Sequence, residues 1–572
     1  MPESRRTKAS AAPFLLSGGP LFYNGHVSPT AKTTGLRYWM LRVLKECERA
    51  AAGFNADPVH DLRVALRRCR SLADGMMAMD PDPDWKAMKK SGKRLFQSLG
   101  ELRDVQIMME WIEKLQSSTP NTGLPLPSAS GQEQEILPGN ESSPTAATEA
   151  AIDPAPPRDS PAEALIHLLN ARESQLKHAA RAALEEFDRK QWRNWSKTLP
   201  LRAKRIRSGS AVFKHLALER WTAARDLHSR AMRNRSQVAL HTLRIGIKRF
   251  RYIVENFLPV EHKLWSNDLK HLQDLLGEVH DLDVLWATAL SSRVFPDEAS
   301  RKAWHGRIVE ERKKRLEEYR QRTGGPDSLW NVWRAGLPQG KQIQEIATRR
   351  MKLWAKVLDP DFAHSERVAR LAVELYDGLE AAGLVKSGPE VANGNASDDR
   401  SALYVAALLH DVGKSKGSKG HHKESMEMIK SHGTPLGWNA ETMQRAAIVA
   451  RFHAGALPVR SHKSLRDLLP GEQRVIVQLA AVLRLANAFD AAHDGNIRSV
   501  QIEPPELSKN GHGSRTSGFL RKPAALGKNE ALVIAAEGYT PGNPTAQTIA
   551  AERYLLETVL RRPVVVRAAK TG

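Results

Sequence analysis

The sequence predicts a mainly all-α protein: two successive helical domains, the second closed by a small α+β tail. Three observations carry that prediction. Apolar residues recur at helical spacing through most of the 572 residues. One basic helical segment, together with the segment that follows it, is written twice, the mark of a repeated structural unit. Only near the end does the pattern change to short strand-like runs, Ile497–Ile502, Ala531–Ala536 and Val564–Val566, around one further helix, Ala546–Arg561.

A chain of this length exceeds what a single core supports. Lys+Arg number 86 against Asp+Glu 64, a formal charge of +22 with a pI near 9.9. That excess is more than solubility requires and favours a polyanionic partner: nucleic acid, an anionic membrane surface or a phosphate polymer. The only cysteines, Cys47 and Cys69, exclude a disulfide framework and fit a reducing cytoplasm. Arg5, Arg6 and Lys8 precede the run AAPFLL, which is too short for a signal peptide, and no stretch approaches a membrane span. The expected location is cytoplasmic, with no membrane partner.

Residues 1–34 are rich in Ser, Gly, Pro and Ala and are expected to form a disordered tail. The first domain is expected over 35–322. Leu36–Ala51 reads as a helix. Asp57-Pro58 opens the next one, an N-cap followed by proline at the first helical position. Further helices are expected over Trp85–Leu99 and Val105–Leu115. Residues 117–160 are Pro/Ser-rich and lack aromatics, so they read as a disordered insertion that cannot offset its ordering entropy. Helices resume from Ala162 to about Ser196, then over Phe213–Arg233 and Val238–Phe257, and continue to Arg322. Glycines and prolines mark 323–340 as a linker. The second domain takes 341–570. Its first helix ends at Asp359-Pro360, an amphipathic stretch follows over His364–Leu379, 386–400 is a polar loop, and helices run on to about Ala492 before the tail.

The repeated helix reads HDLRVALRRCR from His60 and HTLRIGIKRFR from His241. At about 100° per residue, His60, Arg63, Arg67 and Arg70 fall within roughly 80° of one another. His241, Arg244, Lys248 and Arg251 do the same. Leu62, Leu66 and Cys69, like Leu243, Ile247 and Phe250, form a separate apolar stripe that can reach a core. A lone charge run is usually a solvated face; its repetition argues for more. A second echo follows each helix, KRLFQSLGELRD from Lys93 and KHLQDLLGEVHD from Lys270. On these residues the chain resembles the CHAD family, whose signature is a duplicated H-x-L-R-V-x-x-R-R-x-R helix followed by an L-G-x-x-R-D-like turn. The resemblance spans about 35–322. It implies two helical bundles around a basic cavity that binds inorganic polyphosphate or another polyanion. His60, Arg63, Arg67, Arg70, Lys93, His241, Arg244, Lys248, Arg251 and Lys270 would be its binding residues, and polyphosphate granules a natural location.

The second domain carries well-spaced histidines: His364, His410 with Asp411 in ALLHDVGK, the pair His421-His422, and His453 in VARFHAGALP. A lone histidine on an apolar face is most often a satisfied core residue, but imidazole and carboxylate together suit first-row divalent metals. The pattern resembles the HD superfamily of metal-dependent phosphohydrolases, most closely the HD-type C-terminal region of exopolyphosphatase/guanosine pentaphosphatase proteins. The residues that carry the resemblance are ALLHDVG, GHHKES from Gly420, VARFHAGALP, and AAVLRLANAFD from Ala480. By that resemblance His364, His410 and Asp411 would hold a divalent ion (Mn, Mg, Zn or Fe), His421 and His453 would widen the site, and Asp411 and Lys414 would serve catalysis. His421 is preferred over His422 because Ser425 follows four residues later.

The sequence departs from that family in the closing motif. Asn487 stands where the family has a metal-ligating aspartate. An amide oxygen can coordinate but brings no charge. Asp490, one turn on, is a candidate to replace it in part. Two functions follow. One is a polyphosphate-binding protein whose metal site hydrolyses polyphosphate or a guanosine polyphosphate. The other is a non-catalytic module that targets polyphosphate or senses a nucleotide with a degenerate metal site. Nucleic-acid binding, which charge alone would allow, lacks an aromatic single-strand platform or groove-reading motif.

Overall fold

A computed structural model describes residues 35–117, 160–234, 236–385, 399–503 and 530–569. The expected tail 1–34, nearly all of the 117–160 insertion and most of the 386–400 loop lie outside them. The first domain runs through α1 (Leu36–Ala51), α2 (Ala56–Met76), α3 (Pro83–Ser91), α4 (Lys93–Ser117), α5 (Pro161–Glu185), α6 (Arg189–Ala203), α7 (Ala211–Arg233), α8 (Gln237–Phe257), α9 (Pro259–Ser291) and α10 (Glu298–Thr323). The two basic helices, α2 and α8, pack against each other at its centre. Their apolar stripes, Leu62, Leu66 and Cys69 with Leu243, Ile247 and Phe250, are all fully buried in one core. The Arg68–Glu255 ion pair and the Asn256 Nδ2 to Ser71 Oγ hydrogen bond (2.9 Å) tie the two helices together.

The L-G-x-x-R-D-like motifs do not form turns. α4 and α9 run straight through them. Each motif holds one glycine, which costs a helix only about 1 kcal/mol relative to alanine, and no proline. The apolar stripe meanwhile continues without a break: Leu99, Leu102 and Val105 in one helix, Leu276, Val279 and Leu282 in the other, all buried. The break falls earlier, at Gly92 between α3 and α4. A second break, at 186–188, separates α5 from α6, where Asp188 caps the new helix by accepting from Gln191 N.

The 323–340 stretch, read as a linker, carries α11 (Leu329–Ala335), and its Trp330 and Trp333 are fully buried in the first-domain core. α12 (Gln342–Leu358) then spans the domain boundary. Ile346 belongs to the first core, while Met351 and Trp354 belong to the second. The second core is built by α13 (Phe362–Ala381), α14 (Asp399–Leu409), a short 3-10 turn (Val412–Lys416), α15 (His421–His432), α16 (Ala440–Arg451) and α17 (Pro470–Phe489). The tail is a three-stranded sheet in the order β1 (Ser499–Ile502), β2 (Leu532–Glu537), β3 (Val564–Ala568). β1 pairs antiparallel with β2, Val500 opposite Ala536, and β2 pairs parallel with β3, Ile534 opposite Val566. The parallel pair needs a crossover, which α18 (Pro544–Leu560) supplies. The protein is thus mainly all-α with a small α+β tail. Among the described residues no helix is long and apolar enough to cross a membrane.

Candidate functional site

The crossing of α2 and α8 brings Arg63, Arg67, Arg244 and Lys248 within electrostatic reach of one another. Each sits on the cationic stripe that the helical spacing defines. Burial, with Arg244, Arg67 and Arg63 close by, pushes the Lys248 ammonium down to about 7. Tyr252, one turn beyond Lys248, places its ring 6.0 Å from the Arg67 guanidinium, and its hydroxyl is buried without a hydrogen-bond partner. A compact group of like charges beside an unsatisfied donor is what a bound oxyanion would complete.

The other expected binding residues are less free. Arg63 Nη1 donates to the carbonyls of Leu99 (2.9 Å) and Gly100 (2.8 Å), which fixes it against α4. Arg70 donates to Lys89 O at 2.7 Å and lies over Phe96. Arg251 stands 3.8 Å from Glu255. Lys93, at the head of α4, and Lys270, within α9, are exposed. Partial burial and the nearby Arg103 and Arg67 lower the His60 pKa. His241 Nδ1 lies 3.3 Å from His280 Nδ1.

The sequence reading missed two acids inside the cationic group. Asp104 and Asp281 end the two echoed motifs, and each feels Arg244 and Lys248. Burial, with Asp104 close by, pushes the Asp281 carboxyl up to about 6 despite Arg244. The signal was available: both aspartates occupy the same position of the repeat, as do the glycines beside the arginines. A Cβ on Gly100 would stand 3.7 Å from Arg63 Nη1, and one on Gly277 would stand 3.8 Å from Arg244 Nε.

In the second domain α13, α14, α15, α16 and α17 converge on one buried centre. His364, His410 and Asp411 offer ligand atoms that all lie within 4.8 Å of one another, and so do Asp411, His421 and His453. Asp411 belongs to both groups. Its Oδ2 is 3.3 Å from His410 Nε2 and 2.5 Å from Lys414 Nζ; its Oδ1 is 3.3 Å from His421 Nε2 and 3.6 Å from His453 Nε2. Burial alone would raise the Asp411 pKa; the three histidines hold it far below the usual carboxylate range.

Backbone carbonyls orient the rings. His410 Nδ1 donates to Ala407 O, His421 Nδ1 to Ser418 O and His453 Nδ1 to Ala450 O, at 2.7, 2.8 and 2.7 Å. Each therefore turns Nε2 toward Asp411, the tautomer a metal ligand needs. His410 Nε2 and Asp411 Oδ1 are buried without a hydrogen-bond partner, so the donor set fits a divalent cation. Ser425 Oγ donates to His410 O (2.6 Å) and accepts from Gly413 N (2.9 Å), clamping α15 onto the His-Asp turn. A Cβ at Gly413 would collide with His421 O and Ser425 N, so only glycine permits that approach. His422 points aside, its ring centroid 6.3 Å from that of His453.

Asn487 Oδ1 faces His364 Nε2 at 3.0 Å, at the edge of the centre. Asp490 does not take the place of the missing carboxylate. Its Oδ2 accepts from His364 Nδ1 at 2.7 Å, on the opposite side of the ring, and from Arg367 Nε at 2.9 Å, while Oδ1 accepts from Gly495 N at 3.0 Å. One helical turn from Asn487 puts Asp490 behind the histidine, where it supports the ring instead of meeting the ion.

With this geometry in place, comparison with known families assigns the two halves. The family described as CHAD domain matches residues 40–290. The family described as Ppx/GppA phosphatase, domain III, matches residues 345–524. No curated protein matches the chain. The protein is a fusion in which a CHAD domain precedes a Ppx/GppA-type domain III.

Proposed function

We propose that the protein binds inorganic polyphosphate on the joined cationic faces of α2 and α8 and hydrolyses a phosphoanhydride at the histidine centre of the second domain. The two domain types together fit a polyphosphate-related protein. The observation that carries the reading is the meeting of Arg63, Arg67, Arg244 and Lys248 from two halves of an internal repeat, with no carboxylate ion-paired to Arg67, Arg244 or Lys248 among the described residues. A phosphate chain offers many charge-assisted acceptors to such a group.

At the second site His364, His410, Asp411, His421, His453 and Asn487 would hold the metal in an HD-type arrangement. Bound there, a divalent ion would supply Lewis acidity toward a phosphoryl oxygen and a more acidic water. The chain's own contribution is positioning. Asp411 joins the two ligand groups, Lys414 places an ammonium beside it, and Asp490 holds the His364 ring. A cytoplasmic protein located on polyphosphate granules is the setting this reading expects.

Asn487 favours a second reading, a binding module with an inert centre. With Nδ1 of His364 donating to Asp490, the Asn487 amide can partner Nε2 in either state of the ring: through Oδ1, which faces it at 3.0 Å, when Nε2 carries a proton, or through its NH2 group, turned over, when it does not. A carboxylate could partner only the protonated nitrogen. The centre can therefore close on itself without an ion. Elemental analysis of the purified protein and phosphate release from long-chain polyphosphate and guanosine polyphosphates separate the two. Release that depends on a stoichiometric metal supports the enzyme. Tight polyphosphate binding with no release on any substrate, at full metal occupancy, supports the module.

A further inference from the structure

The domain interface holds a cleft of ≈ 800 Å³ that neither site above uses. One wall is α7, with Arg220, Ala223 and Asp226. The other is α12 and the C-terminal end of α15, with Trp354, Met428 and His432. A polar clamp holds the walls at a fixed separation. Arg350, 6% exposed, donates from Nη1 to His215 Nδ1 (2.7 Å) and pairs with Glu219 (2.8 Å). His215 Nε2 donates to Leu436 O at 2.8 Å, and Leu436 N donates to Glu219 at 3.2 Å. Three side chains of two domains thus lock the loop after α15 onto α7, so the cleft is formed before anything enters it. Its volume lies in the range of small-molecule sites, which concentrate at domain interfaces.

The clamp also decides which groups remain for a ligand. Glu219 is consumed by Arg350 and the Leu436 amide. Arg220 and Asp226 make no ion pair or hydrogen bond among the described residues. On the facing wall lies an apolar slot. The Trp354 ring meets the His432 edge at 4.7 Å, with the Met428 thioether nearby. One free cation, one free carboxylate and an aromatic, sulfur-lined slot call for a flat ring with N–H donors and an attached anion. A linear phosphate polymer has no ring and leaves the slot and Asp226 without a partner.

We propose that this cleft binds a nucleoside phosphate, its base against Trp354 and Met428 with an N–H toward Asp226, and its phosphate on Arg220. Such a ligand would press on the end of α15, the helix that begins at His421, and would therefore be felt at the histidine centre. The site stands apart from the polyphosphate and metal assignments above and does not depend on them.

The test is calorimetry with the full chain in metal-free buffer, with long-chain polyphosphate in excess so that the cationic group of α2 and α8 is occupied. AMP, GMP, CMP and inorganic phosphate are titrated in turn. The expected result is one saturable site for at least one nucleoside monophosphate, and phosphate bound at least tenfold more weakly. Ala223→Trp, an exposed position in the cleft, and Arg220→Ala should each weaken that binding at least tenfold while polyphosphate affinity stays the same. Absence of saturable nucleotide binding overturns the proposal. So does phosphate binding as tight as the nucleotides, or unchanged nucleotide affinity in folded Ala223→Trp.

Discussion

In the CHAD domain four cations are held together against their own repulsion, with burial depressing Lys248 and raising Asp281. In the second domain one carboxylate sits among three imidazoles whose outer nitrogens are already satisfied by carbonyls. The first arrangement carries repulsion that an anion relieves. The second is partly closed without an ion, because Asp411 Oδ2 meets Lys414, but it leaves His410 Nε2 and Asp411 Oδ1 buried without a hydrogen-bond partner. Like charges gathered by a repeat identify a receptor more surely than a partly satisfied cluster identifies a catalyst. A buried cluster of this kind is compatible with both catalysis and quiet persistence.

Removing the cations should separate the sites most widely. Arg67→Ala, Arg244→Ala and Lys248→Ala together delete three charge-assisted contacts of about 1.5 kcal/mol each, so polyphosphate affinity should fall about a thousandfold. Metal content should not change. Wild-type affinity in the folded triple variant, measured by calorimetry, would remove the cationic group from consideration. Polyphosphate affinity of the native protein should also fall steeply with added salt, by analogy with counterion release from other polyanions.

The reciprocal variant is His410→Ala. It deletes a ligand with no exposed surface, and metal occupancy by elemental analysis should drop about a hundredfold. Polyphosphate binding should be retained. His410→Gln keeps the volume, and if it still carried full metal the centre would have been misassigned.

Asn487→Asp sharpens the comparison from the other side. It puts a carboxylate oxygen where an amide now meets His364 Nε2, so without a metal ion the centre closes only if His364 is protonated. Metal affinity should rise about tenfold, and phosphate release with it if the site is catalytic. A tight-binding but inactive variant would favour the module.

The smallest effect is on pH. Lys248 is held near 7 by burial and neighbouring cations, so above pH 7 the free side chain is largely neutral. A bound polyanion favours its charged form. Binding above pH 7 should therefore take up a proton, and affinity should fall as pH rises from 7 toward 9, by at most about tenfold per unit. Asp281 acts in the same direction lower down, since its carboxylate forms as pH rises through about 6 and then opposes an anion. Proton uptake read from calorimetry in buffers of different ionisation enthalpy checks both signs. Release of protons would contradict them.

Much of this was written in periodicity. The two basic helices, the placement of their apolar stripes and the tail strands follow from spacing alone. The gathering of His364, His410, Asp411, His421 and His453 was legible only through resemblance, because five positions spread over 90 residues carry no spacing rule of their own. Other features could not be read along the chain. A glycine inside L-G-x-x-R-D looks like a turn until the buried leucines on either side overrule it. Asp490 looked like a substitute ligand because it is one turn from Asn487, yet that same turn carries it behind His364. The clamp of Arg350, His215, Glu219 and Leu436 joins residues up to 221 positions apart, beyond any local pattern.

α11 has a practical consequence for anyone cutting the chain. The CHAD family match ends at residue 290, but the first-domain core does not close there. Trp330 and Trp333 fill it, and Leu337 and Ile346 finish it. A fragment stopped near residue 322 would lose two indoles from its interior, leave a hole against Phe250, Trp221 and His228, and be expected to aggregate. A fragment begun at residue 323 would carry those same indoles bare on its leading end. The first core reaches through α11 into the start of α12, as far as Ile346, and any dissection that respects the fold has to leave α11 with the domain before it.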